Sequence, residues 1–367
     1  MPIYMDLHTL PGVTAKEVAE AHQQDVSIQD RFFCRAMTYW IDEGQGSVFC
    51  LIEAPDKESV RRMHEHSHGL VPNEIIEVKV DVVNAFLGRI KDPDKVEETS
   101  TPDLKVFNDP AFRILMVAKA KDARLLRLTL GINLTQELLL VHNTIVRDQL
   151  KIHDGREVEM REEGFVASFR SVASAIACSL EIQQKMSLVA GQVGLHIGIH
   201  AGVPVNKSEE LFGEALKFAN YLCSIGNDNQ IIMSSSVRKL YKEDAHTGTI
   251  NQNIRWLSHS EESFLEGLIE TLENHWQDPQ FGITDFCEAM SMSKPQLYRK
   301  SVGATGMSPN TLLREYRLHR SLDLLRSEDR NVSQTTFDTG FSSPSYFTKC
   351  FQKRFGLQPM AYLKART

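Results

Sequence analysis

Apolar positions along this chain recur with two periods, and the switches between them lay out its elements. Alternation at every second residue predicts strands over Ile3–Leu7, Arg35–Asp42, Ser47–Glu53 and Glu74–Val80, whereas spacing of three to four residues predicts helices over Ala15–Ser27 and Lys57–His66. The first 90 residues therefore read strand, helix, strand, strand, helix, strand. From residue 105 to 242 the two periods alternate. Strands are expected at Ile114–Ala118, Val158–Arg161, Phe165–Phe169, Val193–Ala201 and Gln230–Ser234, and helices at Leu134–Lys151, Ser171–Met186, Leu211–Ser224 and Val237–Lys242. Beyond Glu261 only the helical period remains.

Within that helical tail one segment is used twice. Ser293-Lys-Pro-Gln-Leu-Tyr-Arg-Lys300 returns 49 residues later as Ser342-Ser-Pro-Ser-Tyr-Phe-Thr-Lys349. Each copy follows a short helical pattern, Ile283–Met290 or Val332–Thr339, and a tight corner at Ser291-Met292 or Gly340-Phe341. Ser293 and Ser342 are natural N-caps, and Pro295 and Pro344 fall in the first turn, where a missing amide proton costs nothing. The result is helix, turn, helix in duplicate, with a long helix over Pro309–Arg326 between the copies. The second helices carry Ser293, Lys294, Gln296, Arg299 and Lys300 in one copy and Ser343, Ser345, Tyr346, Lys349 and Lys353 in the other. These are donors suited to phosphates and base edges in a major groove. A single such pattern would read as a solvated helix face; the duplication favours DNA.

Charge agrees with that placement. Residues 281–367 hold 13 Lys plus Arg against 7 Asp plus Glu, a net +6 in a chain of total −7, which leaves −13 on the rest. Phosphate contacts need cations, so the tail is the DNA-facing part. A chain of 367 residues is too long for one core. The charged, proline-bounded stretch 91–104 is expected to be a linker, and the polar 246–260 a second, giving domains at 1–90, 105–245 and 261–367. Six dispersed cysteines without a CxxC pair argue against a disulfide framework or a zinc finger. No apolar run is long enough to span a bilayer and the start is no signal peptide, so a cytoplasmic protein with no membrane contact is expected.

The first 90 residues hold five of the thirteen histidines, His8, His22, His64, His66 and His68, beside Asp6, Asp25, Cys34, Cys50 and Glu53. Asp6 and His8 share a strand face, His22 and Asp25 a helix face, and His64 and His68 lie four apart on a helix end. Imidazole, carboxylate and thiolate together suit nickel, zinc or copper. A frayed, solvated helix end accounts equally well for His64–His68.

Three resemblances sharpen the picture. On Ile283-Thr-Asp-Phe-Cys-Glu-Ala-Met-Ser-Met-Ser293, Gln296-Leu-Tyr-Arg-Lys300, Gly306-Met-Ser-Pro309, Arg317-Leu318, Gly340-Phe341, Ser345-Tyr-Phe347, Phe351-Gln-Lys-Arg-Phe-Gly356 and Pro359, the stretch 262–367 resembles the AraC-type DNA-binding domain. That resemblance implies seven helices whose two recognition helices enter successive major grooves about 34 Å apart. Ser321 and Thr336 depart from it, standing where small apolar residues are usual. The middle stretch, on Glu163-Gly-Phe-Val-Ala-Ser-Phe169, Gly194-Leu-His-Ile-Gly-Ile-His-Ala-Gly202, Leu222-Cys-Ser224 and Gln230-Ile-Ile-Met-Ser234, resembles class III adenylate/guanylate cyclases. That family needs two aspartates for two metal ions, yet Leu115–Lys119 has no carboxylate at the first position, and Glu163 stands at the second. Glu159, Lys217 and Tyr221 replace the lysine, asparagine and arginine expected at three other positions. A degenerate copy retained for dimerisation or ligand sensing is the implied reading. Tyr39-Trp-Ile-Asp42, Val48-Phe-Cys-Leu-Ile-Glu-Ala-Pro-Asp56, His64 and the 72–78 stretch resemble small ferredoxin-like proteins, some of which bind nickel. Ligands expected from that resemblance are His8, His22 and His64, with His68 and Cys50 in reserve.

The fold expected is therefore multidomain α+β: a ferredoxin-like α+β domain, a cyclase-like α/β domain and an all-α double helix-turn-helix. The function expected is an AraC-type transcription regulator, not an enzyme, that binds double-stranded DNA, pairs as a homodimer and answers to nickel, another divalent transition metal, or a small-molecule or nucleotide effector. RNA polymerase is a further expected partner. The competing expectation is a nucleotidyl cyclase or other enzyme tethered to DNA.

Overall fold

The computed structural model describes residues 1–93, 104–161, 164–189, 193–206, 208–225, 230–244, 254–327 and 330–365. In the N-terminal domain β1 (Ile3–Thr9), β2 (Arg35–Asp42), β3 (Ser47–Glu53) and β4 (Glu74–Val78) form an antiparallel sheet in the order β2-β3-β1-β4. Helices α1 (Ala15–Ile28) and α2 (Lys57–Ser67) cover one face. Each starts on local chemistry: Thr14 and Glu17 form a capping box for α1, and Asp56 accepts from the Ser59 amide for α2. The fourth strand ends two residues earlier than its alternation suggests. From residue 80 the apolar spacing turns helical, and α3 (Val80–Leu87) follows directly, closed by Gly88 at φ 84°.

The opposite face of this sheet carries Met5, Trp40, Phe49, Leu51 and Ile76, and all five are buried against the middle domain. That domain holds β5 (Arg113–Lys119), β6 (Arg156–Arg161), β7 (Gly164–Phe169), β8 (His196–Gly202), β9 (Gln230–Met233) and β10 (Ile254–Trp256). Their order is β10-β9-β8-β5-β7-β6, parallel among β8, β9 and β10 and antiparallel elsewhere. Helices α4 (Ala123–Leu130), α5 (Ile132–Ile152), α6 (Val172–Val189), α7 (Gly213–Ile225) and α8 (Ser235–Asp244) complete it. Helices α5 and α6 pack on one face of the sheet. The other face receives α7 and the N-terminal sheet, with Leu115, Phe212 and Ala215 meeting Phe49 and Trp40 in one core. Arg113 closes the seam: its buried guanidinium donates to the carbonyls of Phe86 (3.2 Å) and Leu87 (3.1 Å) at the end of α3.

Three features here escaped the periodicity. Helices α3 and α4 are each only eight residues long, too short for a clear repeat. Strand β10 lies inside the stretch 246–260 expected to be a linker, and its Ile254, Arg255 and Trp256 pair with Ile231, Ile232 and Met233. Of the other expected linker, residues 94–103 lie outside the described residues. Its last residue, Leu104, and Val106 and Phe107 just beyond it pack into the N-terminal core, where the Phe107 ring stacks 4.2 Å from Tyr39.

The C-terminal domain comprises α9 (His259–His275), α10 (Ile283–Ala289), α11 (Lys294–Thr305), α12 (Pro309–Arg326), α13 (Val332–Asp338), α14 (Pro344–Phe355) and α15 (Pro359–Lys364). The corners are built from Ser291 at φ 49° and Gly340 at φ 73°. A side chain at Gly340 would overlap the Trp276 carbonyl and the Arg317 guanidinium, which itself donates to that carbonyl at 2.7 Å. The capping expectation needs one correction. Pro344 is the first residue of α14, so the N-cap is Ser343 rather than Ser342, and its hydroxyl accepts from the Tyr346 amide. Ser293 is at the N-cap of α11 without a capping hydrogen bond from its side chain. The departures Ser321 and Thr336 are buried and satisfied on their own helices, donating to Leu318 O (2.6 Å) and Val332 O (2.8 Å).

Helix α7 crosses β8 at Gly198, where a methyl group would overlap the Ala219 carbonyl and the Cys223 amide. Gly198→Ala should therefore destabilise the protein by roughly 1–3 kcal/mol. A urea midpoint equal to that of the parent protein would show that the crossing is loose.

Candidate functional site

Two sites emerge, one at each end of the chain. The first is built across β1, β3, α1 and α2. Asp6 and His8 point to the helix-covered side of β1, and register places Cys50 of β3 directly opposite Asp6. Helix α2 brings His64 over the pair, so that one ligand atom from each of Asp6, His8, Cys50 and His64 falls within 4.8 Å of the others. His64 is fully buried; its Nε2 lies 2.9 Å from Asp6 Oδ2 and its Nδ1 lies 3.2 Å from Asp25 Oδ2. His68, the C-cap of α2, completes a second group with Asp25 and His64, its Nε2 being 3.3 Å from Asp25 Oδ1. The Ser67 hydroxyl donates to the same carboxylate at 2.5 Å.

The expected ligand set is thus rearranged. His8, Cys50, His64 and His68 converge, while His22 stands apart, its Nε2 3.8 Å from Asp92 and its ring 5.2 Å from that of Tyr39. Along α1 it is Asp25, not His22, that the helical turn directs at His64. His66 also lies outside, with Nδ1 on the Arg62 carbonyl and its ring 5.2 Å from that of Phe32. Asp6 and Asp25 were candidates by neighbourhood only, although a carboxylate inside an otherwise apolar strand was already a signal. Both are buried.

Burial alone would strip the proton from His64, but the charge of Asp6 and the hydrogen bonds that His64 donates to Asp25 and Asp6 outweigh it and raise His64 to about 10. Burial also opposes ionisation of Asp6 and Asp25. Their histidine partners, His8 and His64 for one and His64 and His68 for the other, nonetheless hold both well below the usual carboxylate range. The Cys50 thiol is pushed far up, first by burial and then by the charges of Asp6 and Asp25. One buried atom is left over: His8 Nδ1 has no hydrogen-bond partner. Nitrogen, oxygen and sulfur donors in one buried cluster, one of them unpartnered, fit a transition-metal ion.

The second site is the outer face of α11 and α14. Leu297 anchors α11 in the core, and Phe347, Cys350 and Phe351 anchor α14. The opposite sides are open: Ser293, Lys294, Gln296 and Arg299 on α11, and Ser345, Tyr346, Lys349 and Lys353 on α14, are exposed. Ser343 is half-buried at its cap. Lys300 departs from the expected set, being half-buried with its ammonium 5.7 Å from the centre of the Phe264 ring on α9. Tyr298, not singled out in the sequence, is 55% exposed beside the readers.

Three of the middle-domain positions singled out in the sequence have defined surroundings. Leu115, in the stretch where the first carboxylate would stand, is fully buried beneath the N-terminal sheet. Glu163 lies outside the described residues. Lys217 pairs with Glu273 of α9, and Tyr221 is buried in a core shared with that helix.

Residues 4–78 match a family described as nickel responsive protein, SCO4226-like, and residues 286–365 a helix-turn-helix domain family. The crystal structure of SCO4226 from Streptomyces coelicolor A3(2) is 33% identical and covers 21% of this chain and 96% of that one, with a TM-score of 0.21. An adenylate/guanylate cyclase/hydrolase structure from Silicibacter pomeroyi is 21% identical over 40% of this chain and 89% of that one, with a TM-score of 0.32. The HTH-type transcriptional activator RhaR of Salmonella heidelberg (strain SL476) is 31% identical over 100 residues, which make up 27% of this chain and 35% of that protein. The chain spans about a third or less of the curated relatives it matches. It therefore carries an SCO4226-like domain at residues 4–78 and an AraC-type helix-turn-helix domain at residues 286–365.

Proposed function

We propose that this protein is a sequence-specific transcription regulator that reads double-stranded DNA with α11 and α14 and responds to a transition metal held in its N-terminal domain. The observation that carries the DNA reading is the orientation of the duplicated helices. Both bury their apolar sides and leave their polar N-terminal faces open, on the stretch 281–367 that carries a net +6. Phosphate contacts by lysines would supply affinity common to all sequences, and Gln296 and Arg299 would supply selectivity, because base edges rather than phosphates differ between sequences. RNA polymerase is the natural downstream partner of such a regulator.

Asp6, His8, Cys50 and His64 are the residues that would hold the metal, with Asp25 and His68 behind His64. A bound ion would supply a cross-link between β1, β3 and α2. Nickel is the favoured ion, on the donor set and the family match. The middle domain is read as non-catalytic, since no carboxylate stands at Leu115–Lys119 and that strand lies under the N-terminal sheet. The same burial occupies a sheet face within one chain, so a homodimer would pair through another surface.

Replacing Gln296 or Arg299 by Ala should cost about 1–3 kcal/mol on the preferred site and broaden the bases tolerated there. Replacing Lys349 or Lys353 should weaken all sequences alike and lower the salt slope by about one. Selection from a random DNA pool followed by salt titration checks both; equal loss on every sequence from all four changes would overturn the assignment of edge readers.

Metal binding must displace the protons on His64 and Cys50. Because His64 is raised to about 10, its proton competes with a metal up to that pH, so affinity should climb as pH rises from 6 toward 10 rather than level off near the ordinary histidine value. Near pH 7 roughly two protons should leave per nickel ion. Titration calorimetry in buffers of different ionisation enthalpy measures that number, and a value near zero would show that neither group is a ligand.

A further inference from the structure

The middle domain grips the two halves of the DNA-reading domain by different means. The first half shares an apolar core with α7, in which Phe218, Tyr221 and Leu222 meet Phe264, Leu268 and Leu272 of α9. Arg255 of β10 reinforces it, donating to the Ala304 carbonyl (2.6 Å) at the end of α11. The second half is held by a polar knot around one carboxylate. Asp122 caps α4, with Oδ1 accepting from the Leu125 amide at 2.8 Å. Its Oδ2 accepts from Arg326 Nη2 at the last turn of α12 (2.6 Å) and from the Tyr362 hydroxyl of α15 (2.8 Å). Asp122 and Tyr362 are buried, Arg124 lies 5.1 Å over the Tyr362 ring, and Leu125 packs against the core of the second half.

We propose that α4 is a latch, and that the middle domain sets the angle between the two recognition helices by gripping both halves at once, with Asp122 as the releasable grip. The proposal rests on the DNA reading above. An apolar core that includes fully buried Leu222 and Leu272 does not come apart locally, whereas the two hydrogen bonds from Arg326 and Tyr362 to one carboxylate can be exchanged for water. The latch is also placed to report on the N-terminal domain. Asp122 follows β5 by three residues, and at the other end of that strand Arg113 bonds α3 while Leu115 lies under the N-terminal sheet. A second groove reader that swings free would meet its groove at a variable distance; a clamped one accepts a single spacing.

The test uses the full chain with Asp122→Asn, which retains a good N-cap residue, and Tyr362→Phe, which removes one hydroxyl and leaves the cap of α4 intact. Hydrogen exchange in the absence of DNA should show amides of residues 332–364 opening about tenfold or more faster in both variants, with residues 283–305 unchanged. On a selected site and the same site lengthened by two base pairs between the half-contacts, the parent protein should lose about a hundredfold in affinity and the variants about tenfold or less. Unchanged exchange at 332–364 in Tyr362→Phe, or a spacing penalty equal to that of the parent in both variants, would overturn the latch. If Asp122→Asn loosens the whole chain, Tyr362→Phe decides alone. If the parent protein selects no sequence, the DNA reading fails, and the exchange result still decides whether the latch exists.

Discussion

The structure depends on a sheet that is apolar on both sides. The N-terminal sheet needs only α1 and α2 to form its own core, yet its second face presents Met5, Trp40, Phe49, Leu51 and Ile76. Left open, that face would be an aggregation liability. Covered by β5 and α7, it contributes on the order of 10 kcal/mol, taking about 2 kcal/mol for each large side chain buried. Domains joined by a polar interface of ordinary size move relative to each other; an apolar one of this depth makes the first two behave as one body. The position of the N-terminal domain relative to the middle domain is then fixed by packing rather than by a linker.

That packing explains two properties together. It buries Leu115, and it ties the end of α3 to the start of β5 through Arg113. The chain continues from β5 into Asp122 and from there, through side chains, to α12 and α15.

In the cluster around His64 the physics is that of charge buried in pairs. Two carboxylates flank one imidazole out of reach of water, an arrangement that would be costly without the hydrogen bonds at 2.9 and 3.2 Å. The same arrangement favours the protonated form of His64. A metal ion, as proposed above, would compete with that proton for the imidazole lone pairs, which would make its affinity a function of pH well above the usual range for histidine.

Much of this was legible in the residues. Periodicity located both helix-turn-helix units and gave the bounds of α12, β2 and β3 as they stand in the structure, because long amphipathic helices and half-buried strands must repeat every 3.6 or two residues. Duplication of the Ser-x-Pro start marked the two recognition helices, and the exposed faces carry Gln296, Arg299, Ser345 and Lys349 as read. Tertiary structure alone decided that Asp6 and Asp25, rather than His22, face His64, since that depends on how α1 lies across the sheet and not on spacing within it. It also turned Lys300 back onto Phe264 and drew Ile254–Trp256 into a sheet as a three-residue strand. A sequence sets which side of each element is apolar; which apolar sides meet, and which polar groups they trap between them, follows from non-local packing that no local period records.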